Sequence, residues 1–430
     1  MGAPGGGTGH EDRQAGRTDG PVDPARELQH FLVELGAALN AAGEAVSSVQ
    51  ERLSRVAVAR GAGDVRVSAF PTFTMVAMGR GEPATLENTL AVPVAPQLDQ
   101  IAALDRLATE AERGRVEPGD GTHRLQEIRG MRRRFGPVAA VAGYAVLASG
   151  LCLLLRPAPG EVATAAVLGA VVGTLLELAH RSPSFRVLVP LVAAFSVSAL
   201  AATAVEHDIV AAGLRAVVAP LVVFLPGATL TTAVLELTAG QVVAGASRFV
   251  AGLLQLGLLA FGIVAGIEAV DPQVSLLARS SEDLLPVWVP WAGVLVLAAG
   301  VTVANSVPAR ALPGLLIVLY SAWAGQVLGD ALLGAYVSGL VGGLVLAPVT
   351  RWTARLPSAL PPLASFFPGF WLLVPGALGL MGVAQLAGDA PDAGTRDLVG
   401  TIVVTLAVAV GVLCGSLLPV RWRPRRAPGP

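Results

Sequence analysis

The chain has 430 residues, 53% hydrophobic, 14% charged and 5% aromatic, with a net charge of -1 and a mean hydropathy of +0.64. That is too little charge for a water-soluble globular protein, in which about a quarter of residues are charged, and the near-neutral balance argues against nucleic acid as a partner. The charge is also divided: residues 1–136 hold 34 of the 61 charged residues and residues 137–430 the other 27. The first stretch has an aqueous composition and the second a lipid-embedded one.

Residues 1–25 are rich in Gly, Asp and Arg without the apolar centre of a secretory signal, and read as a disordered polar tail. From Glu27 to about Arg60, Leu28, Leu32, Leu35, Leu39, Ala42, Val46, Val49, Leu53 and Val56 recur every three to four residues. This predicts one long amphipathic helix, packed on a sheet or on a symmetry mate in a homo-oligomer. After Gly61-Ala62-Gly63, the alternation of Val65, Val67 and Ala69 predicts a short strand closed by Pro71, and Phe73 to Met78 a second. Residues 97–113 and 122–134 read as helices, making residues 26–136 a small α/β domain.

Catalytic chemistry finds no footing here. His10, His30 and His123 are scattered, and the two cysteines, Cys152 and Cys414, each lie in an apolar run. No phosphate loop, nucleophile elbow or paired-histidine spacing occurs, so neither enzyme activity, metal nor cofactor is expected.

Apolar stretches follow at about 137–155, 161–179, 187–205, 209–225, 249–267, 287–304, 311–328, 331–348, 363–387 and 398–418. Each is about long enough to cross roughly 30 Å of hydrocarbon as a helix, and helices satisfy their own backbone polar groups there. The expectation is a polytopic α-helical protein in the bilayer, with about ten transmembrane helices in two five-helix halves, 137–270 and 286–418, and a basic tail at 419–430. If the Arg132-Arg133-Arg134 run lies inside, fourteen membrane-proximal arginines are cytoplasmic and only Arg156, Arg279 and Arg396 external. Both termini and the α/β domain then face the cytoplasm, and the halves are inverted. Gly169/Gly173, Gly262/Gly266, Gly325/Gly329 and Gly339/Gly343 provide close helix packing.

Two places interrupt the spans. Pro226-Gly227 ends the fourth, and Pro375-Gly376 interrupts the ninth, preceded by Pro368-Gly369. Proline removes a backbone donor and glycine relaxes φ, so a helix breaks there and a half-helix restarts. Half-helix N-termini offer free N–H groups to an anion, which marks a transporter binding site for a small molecule. A helix restarting at Gly227 puts Thr229, Thr232 and Glu236 on one face. The substrate set read from this pattern is Gly227, Thr229, Thr232, Glu236, Pro375 and Gly376. Glu236, unless it lies in an inside loop, needs a partner or a proton within the membrane; Arg248, twelve residues on, is a candidate partner. Arg215 either snorkels outward or faces a polar cavity, and Glu177 is interfacial or a second proton carrier.

Pro226-Gly227-Ala228-Thr229-Leu230-Thr231 followed by Glu236, Gly240, Gly245 and Arg248 resembles the first membrane half of the threonine/serine exporter family. Pro368-Gly369 and Val374-Pro375-Gly376 resemble its second half, and Gly36, Gly43, Val49, Gly61 and Pro71-Thr72 its cytoplasmic domain. The likeness covers about residues 26–418. The family pattern Gly-x-x-Thr-x-x-Val-Glu appears here as Gly43-x-x-Val46-x-x-Val49-Gln50, and Glu236 replaces the more usual Asp. The resemblance implies proton-driven export of threonine and serine, with small dicarboxylates, as in related split forms, as an alternative substrate class; a membrane sensor or scaffold with a signalling cytoplasmic domain is the competing reading. The ammonium of such a substrate would meet Glu236, its hydroxyl Thr229 or Thr232, and its carboxylate the half-helix N-terminus at Gly227 or Gly376.

Overall fold

The computed structural model describes residues 23–79, 85–90, 96–207, 214–270, 285–335, 337–356, 359–373 and 391–419. Its N-terminal part contains α1 (Pro24–Ala41), α2 (Val46–Ala59), strands β1 (Arg66–Phe70), β2 (Phe73–Met78) and β3 (Thr85–Leu90), α3 (Leu98–Glu112) and α4 (Pro118–Arg129). The strands form an antiparallel meander in which Phe70 opposes Phe73 and Met78 opposes Thr85. Asp23 caps α1 by accepting from the Ala25 N–H at 3.0 Å, and Pro24 opens the helix with a φ already suited to it. α1 lies across β2 and β3, and buries Phe31, Leu32, Leu35 and Leu39 with Leu53, Leu107, Leu125 and Val76 of its neighbours. Its approach to β2 is close: a Cβ on Gly36 would stand 2.6 Å from Thr74 Cγ2. Asn40, buried in this contact, donates through Nδ2 to the Phe70 carbonyl and to Thr74 Oγ1, each at 3.0 Å.

The single long helix expected over residues 27–60 is two helices. The chain turns at Gly43, whose φ of +83° is a left-handed conformation that side chains other than glycine rarely adopt. The last predicted helix of this part starts at Pro118 and stops at Gly130, earlier at both ends than 122–134. β3 adds a strand that its polar Thr85-Leu86-Glu87-Asn88 sequence conceals.

After Gly136 the chain is apolar helix: α5 (Pro137–Leu154), α6 (Pro159–Arg181), α7 (Pro183–Glu206), α8 (Leu214–Leu221) with a 3-10 turn at Val222–Phe224, α9 (Gly227–Thr238), α10 (Val242–Glu268), α11 (Val289–Ala304), α12 (Leu312–Leu333), α13 (Ser338–Thr353), α14 (Pro362–Leu372) and α15 (Pro391–Leu417). Among the described residues six helices are long and apolar enough to cross a membrane, or seven if the bent pair Arg215–Phe224 and Gly227–Thr238 is one span. The protein is a mostly helical, multi-pass membrane protein carrying a small three-stranded sheet near its N-terminus.

Glycine sets the helix spacing. A Cβ on Gly262 or Gly266 of α10 would meet the Leu191 or Phe195 carbonyl of α7 at 2.7 or 2.5 Å. Both partner positions rise together, so α7 and α10 run parallel. The same holds for α13 and α15, where a Cβ on Gly339 or Gly343 would meet Val408, and one on Gly411 or Gly415 the Leu340 or Leu344 carbonyl. α5 and α11 run antiparallel in close backbone contact: Gly143 faces Ala304, Gly300 faces Leu147 and Gly150 faces Leu297. The seven-residue spacings 143/150 and 293/300 carry this contact, alongside the four-residue glycine pairs visible in the sequence.

The pair that precedes the second expected break does not itself end a helix. α14 continues through Pro368-Gly369. An interior proline forfeits one helical hydrogen bond, while a Cβ on Gly369 would lie 2.5 Å from Leu346 Cδ1, so the pair serves packing. Pro375 and Gly376 lie outside the described residues.

Gly300→Val should collapse the α5–α11 contact, because its Cβ would stand 2.3 Å from the Leu147 backbone nitrogen, whereas Gly257→Val, with no atom within 4 Å, is the control. Overpacking of this kind costs about 1–3 kcal/mol or more. Equal thermal unfolding midpoints for the two variants in detergent would contradict the packing described.

Candidate functional site

The fourth apolar segment is broken where its sequence puts Pro226-Gly227. The 3-10 turn Val222–Phe224 ends the first piece, α9 restarts at Gly227, and the two pieces meet at 51°. The carbonyl freed at Phe224 is taken by Gln255 of α10, whose Nε2 donates to it at 2.5 Å. Gly227 itself is buried under the Phe370 ring of α14, with Cε1 only 2.8 Å from where its Cβ would be. Phe367, one turn earlier on α14, caps the Gly43 turn in the same way, with Cζ at 3.0 Å. Thus the Gly43 turn, the Pro226-Gly227 break and the Phe367-Pro368-Gly369 stretch, separate in sequence, converge on one helix.

α9 carries Thr229, Thr232 and Glu236 away from the break. Glu236 is not in a loop: it is helical and 1% exposed. Arg248 of α10 places its Nε 3.2 Å from Oε1 and 3.1 Å from Oε2. The Val46 N–H, the first of α2, donates to the same Oε1 at 3.0 Å, and Arg248 Nη2 donates to the Glu44 carbonyl at 3.2 Å. A helix N-terminus bears roughly half a positive charge, so the carboxylate is held by a cation from the bundle and by a helix end from the N-terminal part. Beside it, Gln241 Nε2 donates to Gln50 Oε1 at 3.3 Å. The departures at Val46 and Gln50 are therefore compatible with the junction: at position 46 the backbone N–H makes the bond, and at position 50 an amide meets an amide.

Two cavities lie along this segment, one at the junction and one at the helix break. One, of about 690 Å³, lies between α2, α3, α9, α13, α14 and α15 and is bordered by Thr232. Its charges are mutually satisfied: Arg52 reaches Glu44 at 3.5 Å, Asp105 at 2.9 Å and Glu112 at 2.7 Å. Burial pushes the Glu44 carboxyl above its usual range, against the opposing pull of Arg52 and of the Ser48 hydroxyl, which donates to it at 2.5 Å. Burial disfavours the Arg52 cation, but its three acidic neighbours outweigh that and raise its pKa. Arg351, also on this border, is held by the carbonyls of Gly415, Ser416 and Leu418.

The other cavity, of about 540 Å³, runs from Pro96 and Gln97 down to Phe224 and Gln255 at the helix break. Glu177 and His180, neighbours on α6, both contact Arg133 from the connection between α4 and α5. His180 Nε2 lies 2.6 Å from Arg133 Nη2 and its Nδ1 lies 2.5 Å from the Leu176 carbonyl, so the neutral ring donates from Nδ1 and accepts at Nε2. Arg186 borders the same space.

Arg215 lines neither of these two cavities. Its Nη1 lies 3.9 Å from Oε2 of Glu161, a buried residue whose carboxylate accepts from the Ala158 N–H at 2.8 Å. Sequence reading passed over Glu161 and Arg186, since each looks like a span-end charge. Thr231 is a further omission: its Oγ1 is buried without a hydrogen-bond partner among the described residues, on the helix that bears Glu236. Thr229 is half-buried on that helix. Pro375 and Gly376 cannot be placed, as they lie outside the described residues. No group of three metal-ligating side chains occurs among the described residues.

Residues 30–270 match the family model ThrE, described as "Putative threonine/serine exporter". No curated protein and no solved structure matches the chain.

Removing the Glu236 carboxylate should free the start of α2. Loss of a hydrogen bond to a charged group is worth about 1.5–3 kcal/mol, or roughly 10- to 150-fold in opening equilibrium. Glu236→Ala is therefore expected to accelerate amide exchange at Val46 at least tenfold in hydrogen-exchange mass spectrometry, while β2 amides keep their protection. Unaltered exchange across residues 44–49 would refute the junction.

Proposed function

The chain belongs to the threonine/serine exporter family, whose model covers more than half of it, and on that premise we propose that it exports threonine and serine across the cytoplasmic membrane in exchange for protons. The observation that carries this reading is Glu236: a carboxylate 1% exposed, next to a broken apolar helix, held by one arginine and one helix N-terminus. A charge within the bilayer costs about 2.5–3.5 kcal/mol at a helix centre on insertion scales. A group kept there charged has a use for that charge.

In this proposal Glu236 carries the coupling proton. Ionised, it holds Arg248 and the α2 N-terminus together and keeps the N-terminal part seated on α9 and α10. A substrate ammonium competes with Arg248 for the same oxygens, while Thr229 and Thr232 offer hydroxyls to the substrate hydroxyl and the half-helix starting at Gly227 offers its first N–H groups to the carboxylate. A proton arriving on Glu236 removes the attraction and releases the ammonium.

The architecture proposed is ten crossings in two inverted halves, 137–270 and 286–418, with the α/β domain at 26–136 and both termini cytoplasmic. Helix directions support it. α7 and α10 are parallel, which requires the bent segment between them to cross once; α13 and α15 are parallel, which asks the same of the chain between those helices. α5 and α11, the first helix of each half, are antiparallel, as inversion demands.

Labelled threonine, serine and succinate loaded into proteoliposomes with and without a pH gradient test the function. Threonine and serine efflux should rise several-fold with the gradient and succinate efflux should not. Glu236→Gln should retain downhill threonine movement but lose its response to pH. Gradient-sensitive efflux in Glu236→Gln would remove this residue from the coupling, and succinate efflux alone would replace the substrate class.

A further inference from the structure

Of the two cavities, the one at the junction, bordered by Thr232, has its cations fully engaged: Arg52 by three carboxylates, Arg55 by Glu51 and Glu112, Arg351 by three carbonyls. A smaller apolar hollow in the N-terminal part, about 260 Å³ between α1, α3 and α4, has Arg129 at its rim, and that arginine is paired with Glu34 at 2.6 Å. The cavity of about 540 Å³ is different. Arg186, on its border, makes no side-chain hydrogen bond or ion pair among the described residues. Glu177 gives Arg133 its Oε1, leaving Oε2 uncommitted among the described residues. Asn305 spends one amide hydrogen on the Val301 carbonyl, a long 3.4 Å contact, and keeps its oxygen.

A half-buried arginine without a counter-ion among the described residues, a carboxylate oxygen without a partner among them and an amide oxygen, all bordering one space, are the complement of a zwitterion. The size is right: small-molecule sites run from about 300 to 1,000 Å³. The position is right too, since Gln255, which holds the Phe224 carbonyl at the helix break, lines the inner end, and Gln97 of the N-terminal part lines the outer one.

We infer that this cavity is the docking site at which a small α-amino acid is taken up before it reaches the helix break, with Arg186 binding the carboxylate and Glu177 and Asn305 accepting from the ammonium. The inference rests on the exporter reading for the identity of the amino acid. Arg186 is the specificity-determining group for the carboxylate, because its fork pairs with both oxygens. Arg133 positions Glu177 and stays bound to it, and His180 completes that hold. Carboxylates without an ammonium meet Arg186 but leave Glu177 unsatisfied, so the site discriminates against them.

Equilibrium binding of labelled threonine and of succinate to the purified full-length protein tests this. Arg186→Gln should weaken threonine binding at least tenfold and Arg186→Lys by a smaller factor of about three to ten. Glu177→Gln should weaken threonine at least fivefold and leave succinate unchanged. Arg186→Lys carries the test if Arg186→Gln does not give a monodisperse protein. Threonine affinity within twofold of wild type in the folded Arg186 variants would overturn the docking site and leave the exporter reading intact. Binding with the expected variant pattern but no efflux from wild-type proteoliposomes would overturn the exporter reading and leave the site standing. Absence of threonine and serine binding in the wild type would overturn the site, and efflux would then decide the exporter reading separately.

Discussion

One buried carboxylate organises the molecule. Glu236 sits at 1% exposure with a guanidinium on one side and the first N–H of α2 on the other, and neither partner is dispensable. Removing one side of a buried ion pair costs about 3–5 kcal/mol, because the remaining charge is left without compensation. The constraint reaches outward from there. α2 has to begin at Val46 with its N-terminus facing the bundle, which requires the chain to reverse at Gly43; Gly43 has to be free of a side chain because its φ is +83° and because Phe367 lies against it. The same α14 then presses Phe370 onto Gly227. Turn, helix break and aromatic packing are consequences of keeping one negative charge in one place.

The sequence makes the composition of the layers legible, but not their joints. Alternation located β1 and β2, and continuous apolar runs located the six helices that are long and apolar enough to cross a membrane among the described residues, because both signals are local. The Gly43 turn escaped because Ala42 and Val46 are four apart, so the hydrophobic stripe keeps its phase across a break: α1 and α2 bury against the same core. Pro226-Gly227 and Pro368-Gly369 look alike as dipeptides, yet only the first ends a helix. The difference lies in what each meets, Gln255 and Phe370 at one and Leu346 and Val318 at the other, and those neighbours are distant in the chain. Likewise nothing local distinguishes Arg186, free of ionic partners among the described residues, from Arg52, which has three.

Glycine supplies a second kind of constraint, on distance. Between α5 and α11, backbone meets backbone through Gly143, Gly150, Gly293 and Gly300, a contact in which any side chain would push the helices apart. Lipid gives apolar surfaces no reason to associate, so close approach and dispersion must provide the adhesion. The parallel pairs α7/α10 and α13/α15 use the same device. A bundle built this way is rigid within its pairs, and the places that can move are those stitched by charge and hydrogen bond instead.

The connection between the N-terminal part and the bundle is short, from Gly130 to Gly136, and Arg133 pins it to α6. A tethered group does not diffuse away when its contact breaks: its effective concentration stays in the millimolar range. The bond between α2 and Glu236 can therefore be individually weak, open and close many times, and still be formed most of the time. Its equilibrium is unimolecular, so its occupancy is indifferent to how much of the protein a membrane holds.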